Sequence, residues 1–200
     1  METERFRASV PNTQLDFQVS LGSISKATAS LEEQLLIRRR GMSLVVPEPQ
    51  RLLEQWAEKY RERYRWRLRS SFQTNNPFGR TLEDINPGLK SIITTPYLFS
   101  GAIAASDAPF VDIDQVEIFL IAGASDRQLR ELKSEPDAGP KLRFTYPYDD
   151  GVFMYSRRVS EAPLASAIQV YLDLYARGGR DFKQAEYLLA NFIRPRWGKA

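Results

Sequence analysis

The 200-residue sequence contains neither cysteine nor histidine. Without cysteine the chain forms no disulfide and no thiolate metal site, and this composition is consistent with a cytoplasmic protein. Without histidine it lacks the usual general base at neutral pH and the commonest metal ligand. Ser-His-Asp and Cys-His catalysis are therefore excluded within this chain, and only carboxylates could build a metal site.

Long apolar runs are also missing. No stretch of about eighteen apolar residues is present, so we expect no transmembrane helix. The first ten residues mix acidic and basic side chains without an apolar segment, so we expect no signal peptide. A hydrophobic content of 42% and a charged content of 26% are typical of globular proteins. The length suits one large domain or two small ones.

Charge is distributed unevenly along the chain. Residues 1–70 hold 13 Lys and Arg against 9 Asp and Glu, whereas residues 71–200 hold 15 against 16. The excess of positive charge therefore lies in the N-terminal third, which favours a nucleic-acid partner for that part of the protein.

Residues 14–46 carry the pattern that is most informative about function. Leu15–Val19 predicts a short apolar helix, and Leu21–Ser23 predicts a turn. A second helix is predicted over Ser23–Gln34, followed by the basic run Arg38–Arg40 and the β-prone run Leu44–Val46. This order predicts the second half of a winged helix-turn-helix, whose first helix is missing or replaced by a shorter segment.

In that arrangement the second helix would enter a major groove and the basic hairpin would follow a phosphate backbone. The predicted DNA-binding residues are Ser23, Ser25, Lys26, Ser30, Arg38, Arg39 and Arg40. Two alternatives stay open. The helix positions could form an ordinary solvated face with Ser23 as its N-cap, and the arginines could protect an exposed strand edge.

The remainder of the chain predicts a connector and an α+β domain. Residues 1–46 form the winged-helix unit, residues 47–63 a connector with a helix over Gln50–Arg63, and residues 64–200 a mixed α+β domain that ends in two helices. The alternation of aromatic and basic residues over Tyr64–Arg69 predicts a strand. Ser71–Pro77 predicts a loop.

Several further elements are predicted within that domain. They are a short helix over Thr81–Ile85 that ends at Asn86-Pro87-Gly88, a strand over Val116–Ile121, a hairpin of Leu142–Tyr146 with Val152–Tyr155, and closing helices over Leu164–Tyr175 and Asp181–Phe192.

Carboxylates are the remaining candidates for catalysis. Asp173 and Glu186, with Arg180 between them, could form a catalytic pair, but helix capping by Asp181 and ion pairs for the others are the more ordinary interpretation. Glu131-Leu132-Lys133 has the Glu-x-Lys spacing of some nucleases, yet its aspartate follows rather than precedes it. We therefore expect no enzymatic activity, no cofactor and no metal centre.

Four segments of the sequence, taken in order, are SISKATASLEEQLLIRR, PEPQRLLEQWAEKYR, YLFSGAIAAS and IQVYLDLYARGGRDFKQAEYLL. Together they resemble the AbiEi-like antitoxin and transcriptional-regulator family of type IV toxin–antitoxin systems. The chain departs from the family at its N-terminus, where only about a dozen residues precede Leu15, and at Leu35, where the family usually has glycine.

The resemblance implies a DNA-binding autoregulator that recognises operator repeats at its own promoter. It also implies a C-terminal domain that supports neutralisation of a nucleotidyltransferase-like toxin without forming a stable complex with it. A non-enzymatic protein-interaction or dimerisation module with a degenerate winged helix is the alternative, and a homodimer is compatible with both.

Overall fold

A computed structural model of the chain describes residues 3–10, 13–105, 113–121, 126–147 and 149–197, with the side chains of all of these except 3–18, 64–69 and 126. This part of the chain contains six α-helices, a six-stranded mixed sheet and two separate β-hairpins. The expectation of an α+β fold is thus confirmed.

The first elements of the described residues are the two strands of a β-hairpin, not a helix. Strand β1 (Thr3–Val10) pairs antiparallel with β2 (Thr13–Ser20). The helix predicted over Leu15–Val19 is therefore wrong, because the apolar residues there alternate with Asp16 and Gln18 at a strand period of two. No helix precedes the next element in the described residues, so a winged helix-turn-helix is not confirmed.

Helix α1 (Leu21–Glu33) follows β2 directly and matches the predicted second helix. Its N-cap is Ser20, whose hydroxyl accepts a hydrogen bond from the backbone N–H of Ser23 at 3.1 Å. Ser23 is therefore not the cap, and the turn predicted over Leu21–Ser23 is the first turn of the helix. None of the side chains of α1 is buried.

A basic hairpin follows α1, as predicted for the wing. Strand β3 (Arg38–Arg40) pairs antiparallel with β4 (Ser43–Val45). Gly41, in the turn, adopts a φ of 61°, a left-handed conformation that glycine tolerates without strain.

The connector helix extends further than predicted. Helix α2 (Pro49–Arg67) runs directly into β5 (Leu68–Thr74), so the strand begins four residues after Tyr64 and occupies part of the predicted loop. Arginine is a good helix former, and the alternation over Tyr64–Arg69 does not outweigh the continuing helix. Leu53, Ala57 and Tyr60 form the buried face of α2.

The six-stranded sheet has the order β5-β8-β7-β6-β10-β9. Its remaining strands are β6 (Tyr97–Ser100), β7 (Gln115–Leu120), β8 (Lys141–Pro147), β9 (Arg157–Val159) and β10 (Ala162–Leu164). The pairs β7–β8 and β6–β10 are parallel and the others are antiparallel. The predicted strand Val116–Ile121 is confirmed as the central strand β7.

The hairpin predicted from Leu142–Tyr146 and Val152–Tyr155 is wrong in its second half. The first segment is β8, but it pairs with β5 and β7. The second segment contains a 3₁₀ turn over Asp150–Phe153, preceded by Asp149, whose carboxylate accepts a hydrogen bond from the N–H of Gly151 at 2.9 Å. This local bond closes a turn instead of extending a strand.

The remaining helices are α3 (Leu82–Ile92), α4 (Asp126–Glu131), α5 (Ala167–Arg177) and α6 (Gly179–Leu188). Helix α3 continues through Pro87-Gly88, where it was expected to end. A Cβ atom on Gly88 would lie 2.2 Å from the ring of Phe78, so glycine is required there for close packing. The two predicted closing helices are confirmed as α5 and α6, although Leu164 belongs to β10.

One hydrophobic core lies between the sheet and helices α2, α3, α5 and α6. Its largest fully buried side chains include Phe99, Phe144, Phe153 and Ile118. Burial of this kind supplies most of the free energy of folding. None of the helices in the described ranges is both long and apolar enough to cross a membrane.

Candidate functional site

All seven predicted DNA-binding residues are exposed on α1 and β3. Ser23, Lys26 and Ser30 recur at intervals of three and four residues, so they share one face of α1, whereas Ser25 is offset from that face. The half-buried positions Ile24, Thr28 and Leu31 form a different stripe of the same helix. The structure therefore brings three of the four predicted helix residues together.

The hairpin arginines differ in their surroundings. Because side chains alternate along a strand, Arg38 and Arg40 project from one face of β3 and Arg39 from the other. Arg39 forms an ion pair with Glu32 of α1, with a distance of 3.3 Å between Nε and Oε1. No carboxylate in the described part of the chain pairs with Arg38 or Arg40. Arg39 thus links the hairpin to α1 by an exposed ion pair, and two arginines stay available on the other face of the hairpin.

The positive and the negative side chains of α1 lie in opposite halves of the helix. The first turn contains no acidic residue, and Lys26 is the one charged side chain in the N-terminal half of the helix. Glu32 and Glu33 lie at the opposite end. An anionic partner would therefore be favoured at the N-terminal half of α1, where the helix dipole is also positive.

An exposed apolar surface surrounds the same elements. Most of the large apolar side chains that are exposed in the described residues lie between positions 19 and 56, namely Val19, Leu21, Leu35, Met42, Leu44, Val45, Val46 and Trp56. A groove of about 330 Å³ separates α1 from α2 and is lined by Leu31, Leu36, Leu52 and Trp56. Clustered exposure of this kind is typical of interaction surfaces.

A second candidate site is a buried polar centre around Asp173, which is fully buried on α5. Its Oδ1 accepts hydrogen bonds from the Tyr60 hydroxyl at 2.7 Å and from Gln169 Nε2 at 2.9 Å, and its Oδ2 accepts one from Ser100 Oγ at 2.6 Å. Burial raises the pKa of Asp173 to about 7, and the nearby charge of Glu117 acts in the same direction. The hydrogen bonds from Ser100 and Tyr60 partly oppose this rise.

Glu117 on β7 extends the centre towards α6. It is buried and forms an ion pair with Arg177, which also contacts Asp181 at 3.2 Å between Nη1 and Oδ2. Burial raises the pKa of Glu117, while the positive charges of Arg177 and Arg143 act against the rise. The Arg177 guanidinium lies 2.6 Å from where a Cβ on Gly101 would be, and Gly101 has a φ of 67°, so a side chain there would displace the guanidinium and strain the backbone.

The structure does not assemble the catalytic pair considered from sequence. Asp173 is buried, whereas Arg180 and Glu186 are exposed on α6. Asp181 lies within the first turn of α6, whose N-cap is Gly178, so the expectation that Asp181 caps the helix is wrong.

Glu131 and Lys133 of the Glu-x-Lys segment are exposed at the end of α4 and in the 3₁₀ turn that follows it. Glu131 forms an exposed ion pair with Arg127 at 3.4 Å between Oε1 and Nε. The described residues contain no group of three or more acidic side chains that could hold a metal ion.

Sequence reasoning missed the polar centre because its members lie on four separate elements. One signal was present: Glu117 and Asp173 each interrupt an apolar run, VEIFLI and VYLDLY. A carboxylate inside such a run is costly to bury unless it is paired or hydrogen-bonded, so it indicates a partner elsewhere in the chain.

A pocket of about 410 Å³ opens beside this centre, between α2, α5, the end of β8 and the 3₁₀ turn that follows. Tyr60 and Gln169 line it and also bind Asp173. The two side chains therefore connect the pocket with the buried carboxylate.

Comparison of the sequence with protein-family models gives no match, and comparison with curated proteins and with solved structures likewise finds no similar protein. The functional interpretation consequently depends on the residues and geometry described above.

Proposed function

We propose that the protein is a DNA-binding transcriptional autoregulator with an antitoxin-like C-terminal domain, of the kind found in type IV toxin–antitoxin systems. The observation that carries the proposal is the placement of the arginine hairpin against α1 through the Arg39–Glu32 ion pair. This contact holds the exposed face of α1 and the basic strand β3 in one unit.

Each part of this unit has a distinct role in the proposal. Arg38 and Arg40 bind backbone phosphates, which requires only charge and reach. Lys26 lies in the N-terminal half of α1 and reads a guanine edge or binds a phosphate, while Ser23, Ser25 and Ser30 add hydrogen bonds of low specificity. Arg39 mainly positions the hairpin, because its charge is already paired with Glu32.

The proposed link to a toxin is supported by the family-like segments of the C-terminal domain. Two of them form adjacent parts of the core: YLFSGAIAAS contributes β6, and IQVYLDLYARGGRDFKQAEYLL contributes α5 and α6. Co-expression with a nucleotidyltransferase-like toxin encoded next to the gene is the direct test. Growth restored without a stable complex between the two proteins is the expected result, whereas unchanged growth arrest would remove the antitoxin part of the proposal.

The DNA-binding test is fluorescence anisotropy with a duplex from the protein's own promoter and a scrambled duplex, over a series of salt concentrations. We expect tighter binding to the promoter and a linear fall of log K with log salt. Replacing Arg38, Arg39 and Arg40 by alanine should weaken binding to both duplexes and reduce the salt slope by up to about 0.9 per lost phosphate contact.

A matched control removes the same charge elsewhere. Lys90, Lys133 and Arg158 are exposed and lie outside α1 and the basic hairpin. Replacing these three by alanine should leave the salt slope almost unchanged. Failure of the native protein to bind either duplex at low salt, or equal effects of the two triple variants, would contradict the proposal.

The second candidate function is dimerisation or protein interaction through the N-terminal unit, that is, α1 with the basic hairpin β3–β4. The exposed apolar side chains on α1, β4 and α2 favour it, because nothing in the described residues covers them. Light scattering after gel filtration tests it with Leu44→Asp and Val46→Asp. A dimer that these changes dissociate, in a protein that binds no DNA, would replace the regulator by an interaction module.

A further inference from the structure

The pocket beside the Asp173 centre is formed by segments that are distant in the sequence. Helix α2, strand β7, the 3₁₀ turn at Asp150–Phe153 and helix α5 all contribute to it. Its volume of about 410 Å³ lies in the range of small-molecule sites. None of its described lining residues belongs to α1 or to the basic hairpin, so the pocket is separate from the proposed DNA-binding surface.

Apolar side chains make up more than half of the described lining. Phe119 and Leu172 are buried, whereas Ile168 and Trp56 are 38% and 46% exposed. The apolar wall therefore continues from the core to the surface, and an apolar ring placed against it would lose water-exposed area on both sides.

Gln169 has one end of its amide free. Its Nε2 donates to the Tyr60 hydroxyl at 3.0 Å and to Asp173 Oδ1 at 2.9 Å, while the Tyr60 hydroxyl itself donates to Asp173. Both partners of the amide are thus acceptors towards it, which fixes the nitrogen on the side of Asp173. The amide oxygen, Oε1, accepts no hydrogen bond from the described residues.

Ser166 supplies the complementary group. It is the N-cap of α5, and its hydroxyl oxygen accepts from the backbone N–H of Gln169 at 3.1 Å. Its hydroxyl proton has no acceptor in the described part of the chain. Ser166 and Gln169 are three positions apart and both line the pocket, so the lining offers one unused donor and one unused acceptor close together.

The backbone of Tyr155, another lining residue, is strained. Its φ of 56° lies in the left-handed region, and its side chain is 82% exposed, so burial does not compensate the strain. Unfavourable backbone conformations of this kind are concentrated at ligand-binding and active sites.

We propose that this pocket binds a small molecule in which a carboxamide is attached to an apolar ring. A carboxamide carries an N–H donor and a carbonyl acceptor side by side, which matches the unused groups of Gln169 and Ser166. The ring contacts Phe119, Ile168 and Leu172, the amide N–H donates to Gln169 Oε1, and the amide carbonyl accepts from the Ser166 hydroxyl. The site does not depend on the DNA-binding proposal, since no residue is shared between them.

Three probes separate the two parts of the ligand. Benzamide has both the ring and the carboxamide, acetophenone has the ring and the carbonyl but no N–H donor, and acetamide has the carboxamide without the ring. We expect acetophenone to bind about fivefold more weakly than benzamide, because one hydrogen bond is lost. Acetamide should not bind measurably at concentrations that saturate benzamide binding.

Methyl NMR of the full-length protein measures the binding. Labelling with ¹³C at the methionine methyl groups gives three signals, because the sequence contains three methionines. Met154 lines the pocket, whereas Met42 is fully exposed in the basic hairpin. Benzamide should shift the Met154 signal in a saturable manner and leave the Met42 signal unchanged.

Variants locate the contacts on the protein. Ile168→Ala should weaken benzamide binding about threefold, whereas Val159→Ala, at a position that is equally exposed at 38% but outside the described lining, should leave it unchanged. Ser166→Ala removes the hydroxyl donor and should weaken binding about fivefold. Circular dichroism of each variant verifies that its helices are retained.

Several outcomes would overturn the proposal. They are a Met154 signal that benzamide does not shift, acetophenone binding as tightly as benzamide, equal effects of Ile168→Ala and Val159→Ala, and unchanged benzamide binding in Ser166→Ala. Loss of DNA binding in the anisotropy test would not bear on this site, so failure of either proposal can be recognised separately.

Discussion

The hydroxyl of Tyr60 on α2 donates a hydrogen bond to the carboxylate of Asp173 on α5 at 2.7 Å, although 113 residues separate the two along the chain. The same hydroxyl accepts a hydrogen bond from Gln169 at 3.0 Å. Helix α2, which follows directly after the N-terminal unit, is thereby attached to the C-terminal core by a polar contact as well as by the apolar side chains of Leu53 and Ala57.

Replacing Tyr60 by phenylalanine should lower the free energy of unfolding by about 1–3 kcal/mol. The change removes one of three hydrogen-bond donors to a fully buried carboxylate and leaves its Oδ1 with Gln169 alone. Chemical denaturation at neutral pH measures the effect. Tyr155→Phe, at an exposed position, is the matched control, and a loss of similar size in both variants would contradict the assigned role of Tyr60.

The raised pKa of Asp173 predicts a pH-dependent stability. Because the pKa rises from 3.8 to about 7, the folded protein holds a proton that the unfolded chain releases between these values. The contribution of Asp173 to the free energy of unfolding is therefore largest below pH 4 and falls as the pH rises to about 7, by up to about 1.4 kcal/mol per pH unit.

Asp173→Asn should remove this fall, so the stability of the variant relative to the native protein should increase from pH 4 to pH 7. Denaturation curves at several pH values measure the difference, and Asp114→Asn at an exposed position is the control. The buried Glu117, whose pKa burial also raises, retains a fall of the same sign in the variant. A difference between the variant and the native protein that stays constant with pH would contradict the prediction.

Leu35 is predicted to be a strained position. Its φ of 58° lies in the left-handed region, which costs a residue with a Cβ about 1–2 kcal/mol, and its side chain is 61% exposed. Leu35→Gly should therefore stabilise the turn between α1 and β3, by about 1 kcal/mol or less after the entropy of glycine in the unfolded chain is included.

Amide hydrogen exchange of α1 and β3 measures this effect locally. Leu44 is also exposed, but it lies in a strand and has no positive φ. Leu44→Gly should therefore destabilise the hairpin and speed its amide hydrogen exchange. Faster exchange of α1 in Leu35→Gly would show that the leucine side chain contributes more than the strain costs.

Replacing Thr81 and replacing Thr95 should affect the free energy of unfolding differently. Thr81 begins α3 with a capping box, in which its hydroxyl accepts from the N–H of Asp84 at 3.2 Å and the Asp84 carboxylate accepts from the N–H of Thr81 at 3.1 Å. Thr81→Ala should cost about 1 kcal/mol. Thr95 has a buried hydroxyl without a partner in the described residues, so Thr95→Val should be neutral or stabilising.

Thermal or chemical unfolding distinguishes the two threonine variants. A loss of stability in Thr95→Val of the same size as that in Thr81→Ala would show that the Thr95 hydroxyl does have a partner in solution.

The sequence predicted elements well where one period dominated. The central strand β7, the helix α1 and the closing helices α5 and α6 each follow from a single pattern of apolar residues. The predictions were wrong where the period of the apolar residues was misassigned, or where tertiary contacts determine the secondary structure. Leu15–Val19, for which a helix is predicted, alternates with a period of two and belongs to β2, while strands β9 and β10, three residues each, are too short to show a period.

The candidate sites were predictable to different degrees. The exposed residues of α1 and β3 follow from local spacing, since a helix and a hairpin place their own side chains. The ion pair of Arg39 with Glu32 and the pocket beside Asp173 depend on how separate elements pack. Gln169 and Trp56 become neighbours in the pocket only because α2 lies against α5, and no local pattern contains that information.

Few side chains are buried in the N-terminal unit, which consists of α1, β3 and β4. Between positions 19 and 48, Leu36 and Ile37 are the buried side chains that the structure describes, and Lys59 adds one long hydrogen bond to Gln34 at 3.4 Å. Two such side chains contribute about 3–6 kcal/mol, which is less than most domains need to unfold completely. We therefore expect helix α1 and the basic hairpin to open and reclose as a separate cooperative unit while the sheet keeps its native packing.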